Sequence, residues 1–175
     1  IRHFEFSLIA MLLHGTGALL PAAKARRHYE LSAEFSTTYL SRFGTLFAPQ
    51  TQEIIRTLIL CTGYDAQVDF AERLDPLWQQ VAHAIGTAKL LGQIASADYL
   101  DRLPELFDEL TLTHPKGSTG EIQPQSVQDL PSYFRNFVEK SLKERYGMVY
   151  MYYQFLSADH SNPYLESAEK HLRRV

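Results

Sequence analysis

The sequence predicts an all-α fold of about six to eight helices. Apolar residues recur at intervals of three and four along most of the chain, as they do on the inner face of a helix. Asp75-Pro76 and Asn162-Pro163 are typical helix starts, because Asp and Asn cap helices and proline fits the first helical turn. No segment shows the alternation of apolar and polar residues that predicts a strand.

Four helices are predicted in the first half of the chain. Phe4–His14 is apolar on nearly every side and predicts a buried helix that ends at the glycine-containing turn GTG. The second helix is expected from about Tyr29 to Phe43, with apolar side chains four residues apart. The third is expected from Pro49 to about Cys61, and the fourth begins at Asp75-Pro76.

The second half continues the helical pattern around one long loop. Thr87–Leu110 is predicted to be helical, with Pro104 as a kink or break. Residues 111–130 are rich in Pro, Gly, Ser, Thr and Gln and lack periodicity, so we expect a loop there. A long helix is predicted over about 131–156, and a last amphipathic helix follows Asn162-Pro163 to about Arg173. The 175 residues suit one domain.

Composition excludes several classes of protein. Apolar residues make up 45% of the chain and charged residues 21%, which is typical of a globular protein and not of a disordered one. The net charge of −3 predicts no general attraction to nucleic acid or to anionic membranes. No apolar stretch reaches the ~18 residues of a spanning helix. Cys61 is the only cysteine and has apolar neighbours, so we expect a buried thiol and a cytoplasmic protein.

Two of the seven histidines stand at predicted helix ends. No pair has the H-x-x-x-H spacing that places two metal ligands on one helix face. His14 closes the first apolar helix just before the glycine turn, and His28 opens the second helix. We expect these successive helix ends to bring the two imidazoles together, with the carboxylate of Glu30 nearby.

Several segments, taken together, resemble one enzyme family. Residues 11–17, MLLHGTG, resemble the L-L-H-D-x-G signature of the HD superfamily of metal-dependent phosphohydrolases, and residues 28–33, HYELSA, resemble its next element. Residues 86–95, GTAKLLGQIA, resemble the stretch G-T-A-D-L-L-G-Q-M-A of one bacterial branch. YLDRL at 99–103 and NPYLE at 162–166 continue the likeness. The resemblance implies a helical HD domain, 1–175, that binds a divalent metal and cleaves phosphoesters.

The departures from this family fall on its metal ligands. Gly15 stands where the resemblance implies the metal-binding aspartate, Lys89 where it implies a later one, and Ser96 replaces a further acid. The first histidine ligand of the family would precede Ile1, so we expect the start of the domain to be missing. Mn²⁺, Mg²⁺ and Fe need several oxygen or imidazole ligands, and a lysine ammonium beside them would repel them. We therefore expect no resident metal.

The leading hypothesis is a degenerate HD-domain protein that does not catalyse and acts as a ligand-binding, regulatory or assembly module. Arg26 and Arg27 would attract a phosphorylated ligand, and Lys89 either places its ammonium in the vacated metal position or points to solvent. The first alternative is an active phosphohydrolase that acts on a nucleotide or another phosphoester, with a metal held by His14, His28, Glu30 and upstream histidines. The second is a helical scaffold that contacts further copies or a protein partner. The candidate cleft consists of His14, Gly15, His28, Glu30 and Lys89.

Overall fold

The structure is a computed structural model that describes residues 2–20, 27–63, 71–113, 124–136 and 161–173. In this part of the chain every regular element is helical, so the predicted all-α class is confirmed. Three short 3-10 helices accompany the α-helices, at Thr16–Leu19, Gly44–Leu46 and Val127–Asp129. The described α-helices are α1 (Arg2–Leu13), α2 (His28–Ser41), α3 (Pro49–Leu60), α4 (Pro76–Ala95), α5 (Leu103–Thr113), α6 (Leu130–Asn136) and α7 (Pro163–Arg173).

The chain divides into two compact units, residues 1–86 and residues 87–175. The first unit contains α1, α2, α3 and the beginning of α4, and the boundary falls inside α4 after Gly86. The predicted single domain stays a prediction, because two compact units do not show whether the chain unfolds in one transition.

The core of the first unit is built around α3. Its apolar residues are spaced three and four apart, as predicted, and they face both α1 and α2. Cys61 follows α3 and is buried, which confirms that prediction. Burial raises the pKa of its thiol to about 12, so Cys61 remains protonated and unreactive at neutral pH. The fully enclosed residues of this core are Ala10, Ile55, Leu58, Ile59 and Ala82.

Helix α1 is not the buried helix that its sequence predicts. Within α1 only Ala10 is buried, whereas Phe4, Leu8 and Leu12 are exposed. Most residues of the helix are apolar, and within the unit it packs on α3, to a smaller extent on α2, and through His3 and Phe6 on Trp78 of α4. One apolar face of α1 is therefore left in contact with solvent.

The second unit attaches α7 to the end of α4 through side chains. The Ser167 hydroxyl donates to the carbonyl oxygen of Ala95 at 2.9 Å, and His171 Nδ1 donates to that of Ile94 at 2.8 Å. These bonds satisfy carbonyls that the end of a helix leaves without backbone partners. The His171 ring is stacked on Tyr99, with 5.8 Å between ring centroids. His171 is buried although its neighbours in the sequence are mostly polar.

Two predicted helix boundaries shift in the structure. Helix α2 ends at Ser41, two residues before the predicted end. The predicted helix 87–110 is the second half of α4 and most of α5, separated by turns. Pro104 lies in the first turn of α5. The N–H groups of a first turn have no acceptor within the helix, so proline costs no helical hydrogen bond there, and Pro104 belongs to the start of a helix and not to a kink.

The predicted loop and the long predicted helix are described only in part. Of the predicted loop 111–130, residues 111–113 close α5 and residues 127–129 form a 3-10 helix, while residues 114–123 lie outside the described residues. Helix α6 accounts for the start of the helix predicted over 131–156, and its remainder also lies outside them. Helix α7 has the predicted bounds. In the described ranges, no helix combines the length and apolar character needed to cross a membrane.

The N-cap of α4 gives a first prediction. Asp75 Oδ1 accepts hydrogen bonds from the backbone N–H groups of Leu77 and Trp78, both at 3.1 Å. Asp75→Ala removes this acceptor and should lower the free energy of unfolding by about 1 kcal/mol, whereas Asp75→Asn should retain most of it. Urea unfolding followed by circular dichroism measures both variants. Equal losses in the two variants would contradict a capping role.

Candidate functional site

One buried hydroxyl joins the two histidine-bearing segments. Ser32 lies in the first turns of α2 and is 0% exposed. Its Oγ lies 2.6 Å from the carbonyl oxygen of His14 and 2.8 Å from that of His28, so its single proton is shared between them. The same Oγ accepts the backbone N–H of Gly17 at 2.8 Å. The end of α1 and the start of α2 are thus held together through their backbones, while the expected meeting of the two imidazoles stays a prediction.

Gly17 allows this close approach between the glycine turn and α2. A Cβ at position 17 would lie 1.9 Å from the carbonyl oxygen of His28 and 2.7 Å from the backbone nitrogen of Ser32. Backbone atoms cannot give way to such contacts without moving α2 itself. Only a residue without a side chain fits there.

The His14 side chain caps its own helix. Its Nδ1 lies 2.6 Å from the carbonyl oxygen of Met11, and because a carbonyl only accepts, Nδ1 carries the proton. In the neutral ring this leaves Nε2 as the atom that accepts a hydrogen bond or binds a metal. The Thr16 hydroxyl donates to the carbonyl oxygen of Leu13 at 2.8 Å and caps the same helix end.

Gly15 leaves open space beside His14. It is exposed, its backbone has φ −93° and ψ −5°, and a Cβ built there meets no heavy atom within 4 Å. This conformation is accessible to residues with side chains, and Asp and Asn adopt it readily. Nothing steric therefore prevents a carboxylate at the position where the resemblance implies one.

The start of α2 adds positive charge next to His28. His28 is the first residue of α2 and half-buried, and its ring meets the edge of Tyr29 at a centroid distance of 5.9 Å. Arg27 Nη1 donates to the Tyr29 hydroxyl at 3.1 Å and lies 3.7 Å from a carboxylate oxygen of Glu30. Glu30 is therefore paired with Arg27. The Tyr29 ring packs against Gly63, and a Cβ at position 63 would lie 2.7 Å from a ring carbon of Tyr29.

The other predicted site residues lie in the second unit or outside the described residues. Lys89 is half-buried on α4 and belongs to the second unit, so only the resemblance connects it with His14. Arg26 lies outside the described residues. Ser96 donates to the carboxylate of Asp98, and this bond is the main cause that lowers the pKa of Asp98. Asp98 and Asp101 lie in turns and do not share a helix face.

The donors at this cluster do not fit the divalent metal that the resemblance implies. His14 and His28 supply imidazoles, position 15 supplies no carboxylate, and Glu30 is paired with Arg27. Within the ranges that the structure describes, no three His, Cys, Asp or Glu side chains lie close enough to hold a metal ion together. Mg²⁺ and Mn²⁺ require several oxygen ligands, which this set does not provide.

Sequence reasoning identified the two histidines but missed what joins them. Ser32 and Gly17 are separated by fifteen positions, and neither belongs to a motif that indicates mutual contact. Two local signals were available in the sequence. Gly17 and Ser32 are both small residues, and Ser32 lies in the first turns of a predicted helix. Comparisons with protein-family models, curated proteins and solved structures gave no match to this chain.

The contribution of Ser32 can be separated from that of an ordinary buried serine. Ser32→Ala leaves the Gly17 N–H without its acceptor and should lower the free energy of unfolding by about 1–3 kcal/mol. Ser36→Ala is the matched control, because Ser36 is equally buried and bonds only to the carbonyl of Ala33 in its own helix. Chemical denaturation compares the two. A loss from Ser36→Ala as large as that from Ser32→Ala would contradict the special role of Ser32.

Replacement by alanine should change the free energy of unfolding in different directions at the two glycines of the turn. Gly17→Ala should destabilise the chain by about 2–4 kcal/mol, because its Cβ collides with the backbone of α2. Gly15→Ala should be neutral or slightly stabilising, because its Cβ meets open space and the unfolded chain loses freedom. Thermal and urea unfolding measure both. A tolerated Gly17→Ala would show that the turn does not pack on α2 as described.

Proposed function

We propose that this chain is a degenerate HD-domain protein that binds a phosphorylated ligand in the His14–His28 cleft without hydrolysing it. The observation that carries the proposal is the Ser32 hydroxyl, which holds the two histidine segments together while position 15 offers no carboxylate. In this proposal the two segments that carry the histidines are held together, while the acidic ligand of an HD-type site is missing. Binding needs only these segments, whereas metal-assisted hydrolysis also needs the acidic ligand.

The charges around the start of α2 favour an anion as the ligand. The N-terminal end of a helix carries partial positive charge, and Arg27 and His28 stand at that end of α2. The Arg27 guanidinium is paired with the Tyr29 hydroxyl and the Glu30 carboxylate. A phosphoryl group would therefore compete with Glu30 for the arginine, which is the side chain best suited to bidentate phosphate contacts. Lys89 would join this site only if the resemblance of residues 86–95 to the HD family holds.

One observation favours an active phosphohydrolase as the second candidate. A metal-binding histidine commonly donates its other ring N–H to a backbone carbonyl, which fixes the tautomer and the ring. His14 makes this bond to Met11 and leaves Nε2 available. In this candidate Mn²⁺, Mg²⁺ or Fe would be bound by His14 and His28 together with ligands outside the described residues.

A cytoplasmic location belongs to the same proposal. It rests on a single buried cysteine that forms no disulfide within the chain, as is common where thiols stay reduced. The net charge of −3 and the lack of a basic stripe further suggest that nucleic acid is not the ligand.

Restoring the carboxylate tests whether the cleft is an HD-type site. Gly15→Asp recreates a His-Asp pair and should raise the affinity for Mn²⁺ at least about tenfold over the unmodified chain, measured by isothermal titration calorimetry. Gly15→Asn is the matched control, since it adds the same volume without the charge. His14→Ala in the Gly15→Asp background should abolish the gain. A gain that persists without His14 would show that the metal binds elsewhere.

Experiments on the unmodified chain distinguish ligand binding from catalysis. Elemental analysis of the purified protein should find no stoichiometric Mn, Fe or Mg, and inorganic phosphate or a nucleotide panel should raise its melting temperature. Arg27→Gln should reduce this stabilisation. One tightly bound metal per chain that is lost in His14→Ala, or turnover of a phosphoester with added Mn²⁺ that His14→Ala abolishes, would overturn the proposal in favour of the active enzyme.

A further inference from the structure

Two ring contacts on one tryptophan attach the start of α1 to α4. The rings of His3 and Trp78 lie 4.3 Å apart between centroids, at an interplanar angle of 39°. The Phe6 ring is stacked on the same indole, with 5.6 Å between centroids and 9° between planes. His3 and Phe6 are three residues apart and therefore lie on the same face of α1. Within the first unit, this face of α1 packs on the start of α4.

The imidazole of His3 lies against the face of the Trp78 indole. Aromatic pairs usually keep their ring centroids about 4.5–7 Å apart, and edge-to-face pairs lie toward the long end of that range. A separation of 4.3 Å is too short for an edge-to-face contact, so the two rings overlap face to face with a tilt. The face of an indole carries partial negative charge and attracts a cation within about 6 Å of its centroid. The contact is therefore sensitive to the charge of His3.

His3 can take up a proton while it keeps contact with water. Trp78 is 7% exposed, whereas His3 is half-buried, so a protonated imidazole would be hydrated on one side and covered by the indole on the other. A histidine side chain changes its charge between about pH 5 and 8. The indole face attracts the protonated ring, whereas the neutral ring keeps only the packing contact. We propose that protonation of His3 strengthens its contact with Trp78, so that the attachment of α1 to α4 depends on pH.

No ion pair joins His3 to a charged side chain in the described part of the chain. On α1, Arg2 and Glu5 stand one and two positions from His3, where helical side chains do not face each other. At the start of α4, the Asp75 carboxylate accepts two backbone N–H groups as a cap. The other charged side chains and histidines of the first-unit helices packed on α1 are His83 on α4, Glu53 and Arg56, which pair with each other on α3, and His28, Glu30 and Glu34 on α2. Among the described residues, the Trp78 indole is thus the group that a charge on His3 meets.

Protonation of His3 should make the attachment of α1 tighter at low pH. Because the protonated ring gains the attraction to the indole, the extra stability is present below the titration of His3 and is lost as the pH rises through it. A cation on an indole face at a partly exposed position changes an unfolding equilibrium constant about two- to fivefold. This increment adds to the packing contact that the neutral ring already makes.

The fluorescence of the folded chain tests the contact directly, because Trp78 is the only tryptophan. A protonated imidazole in contact with an indole quenches its emission. Between about pH 8 and pH 5 the emission should therefore fall, and most of this fall should disappear in His3→Phe, which keeps a ring that cannot be charged. His83→Phe is the matched control, because His83 lies on α4 itself and its replacement should leave the fall unchanged.

Urea unfolding followed by circular dichroism at about pH 5 and pH 8 measures the increment. The unfolding equilibrium constant of the unmodified chain, divided by that of His3→Phe, should be about two- to fivefold smaller at the lower pH. Trp78→Leu keeps the imidazole but removes the indole face, so it should lose the same pH-dependent increment, and the double variant should lose no more. This second variant keeps the test decisive if His3→Phe folds poorly.

Three results would each overturn the proposal. They are a fall in emission that survives His3→Phe, a pH dependence of unfolding that is the same in the unmodified chain and in both variants, and an increment that is larger at pH 8 than at pH 5. None of these outcomes bears on ligand binding at His14 and His28.

Discussion

The Ser32 hydroxyl is the interaction on which the arrangement at the His14–His28 cleft depends. It is fully buried and satisfies one backbone donor and two backbone acceptors from three different positions along the chain. Buried backbone groups without partners are costly, so the Ser32 side chain stabilises the close packing of the turn after α1 against α2, which the absence of a side chain at Gly17 allows. These hydrogen bonds fix the position of the His14 backbone relative to that of His28.

Two consequences follow for the chemistry of the cleft. The close approach requires a glycine at position 17, and the helix end fixes the proton of His14 on Nδ1. The backbone around His14 and the tautomer of its imidazole are thus both defined by hydrogen bonds within the chain. In the proposed degenerate HD-type site, the missing acidic ligand corresponds to Gly15, next to space that would accommodate a carboxylate.

Helix α1 packs into the core, leads into His14 and also forms part of the surface. Its inner face completes the core of the first unit and its last turn carries His14, while its outer face exposes Phe4, Leu8 and Leu12.

The sequence by itself determined the helical class, the start of α4, the bounds of α7 and the buried state of Cys61. Each of these depends on local signals, such as periodicity, helix caps and apolar neighbours, that act within a few residues. Only the tertiary structure decided which face of α1 is buried, that Pro104 begins a helix, and that Ser32 joins His14 to His28. Uniform apolarity does not show which side of a helix has a neighbour. A hydrogen bond between residues eighteen positions apart likewise leaves no periodic trace in the chain.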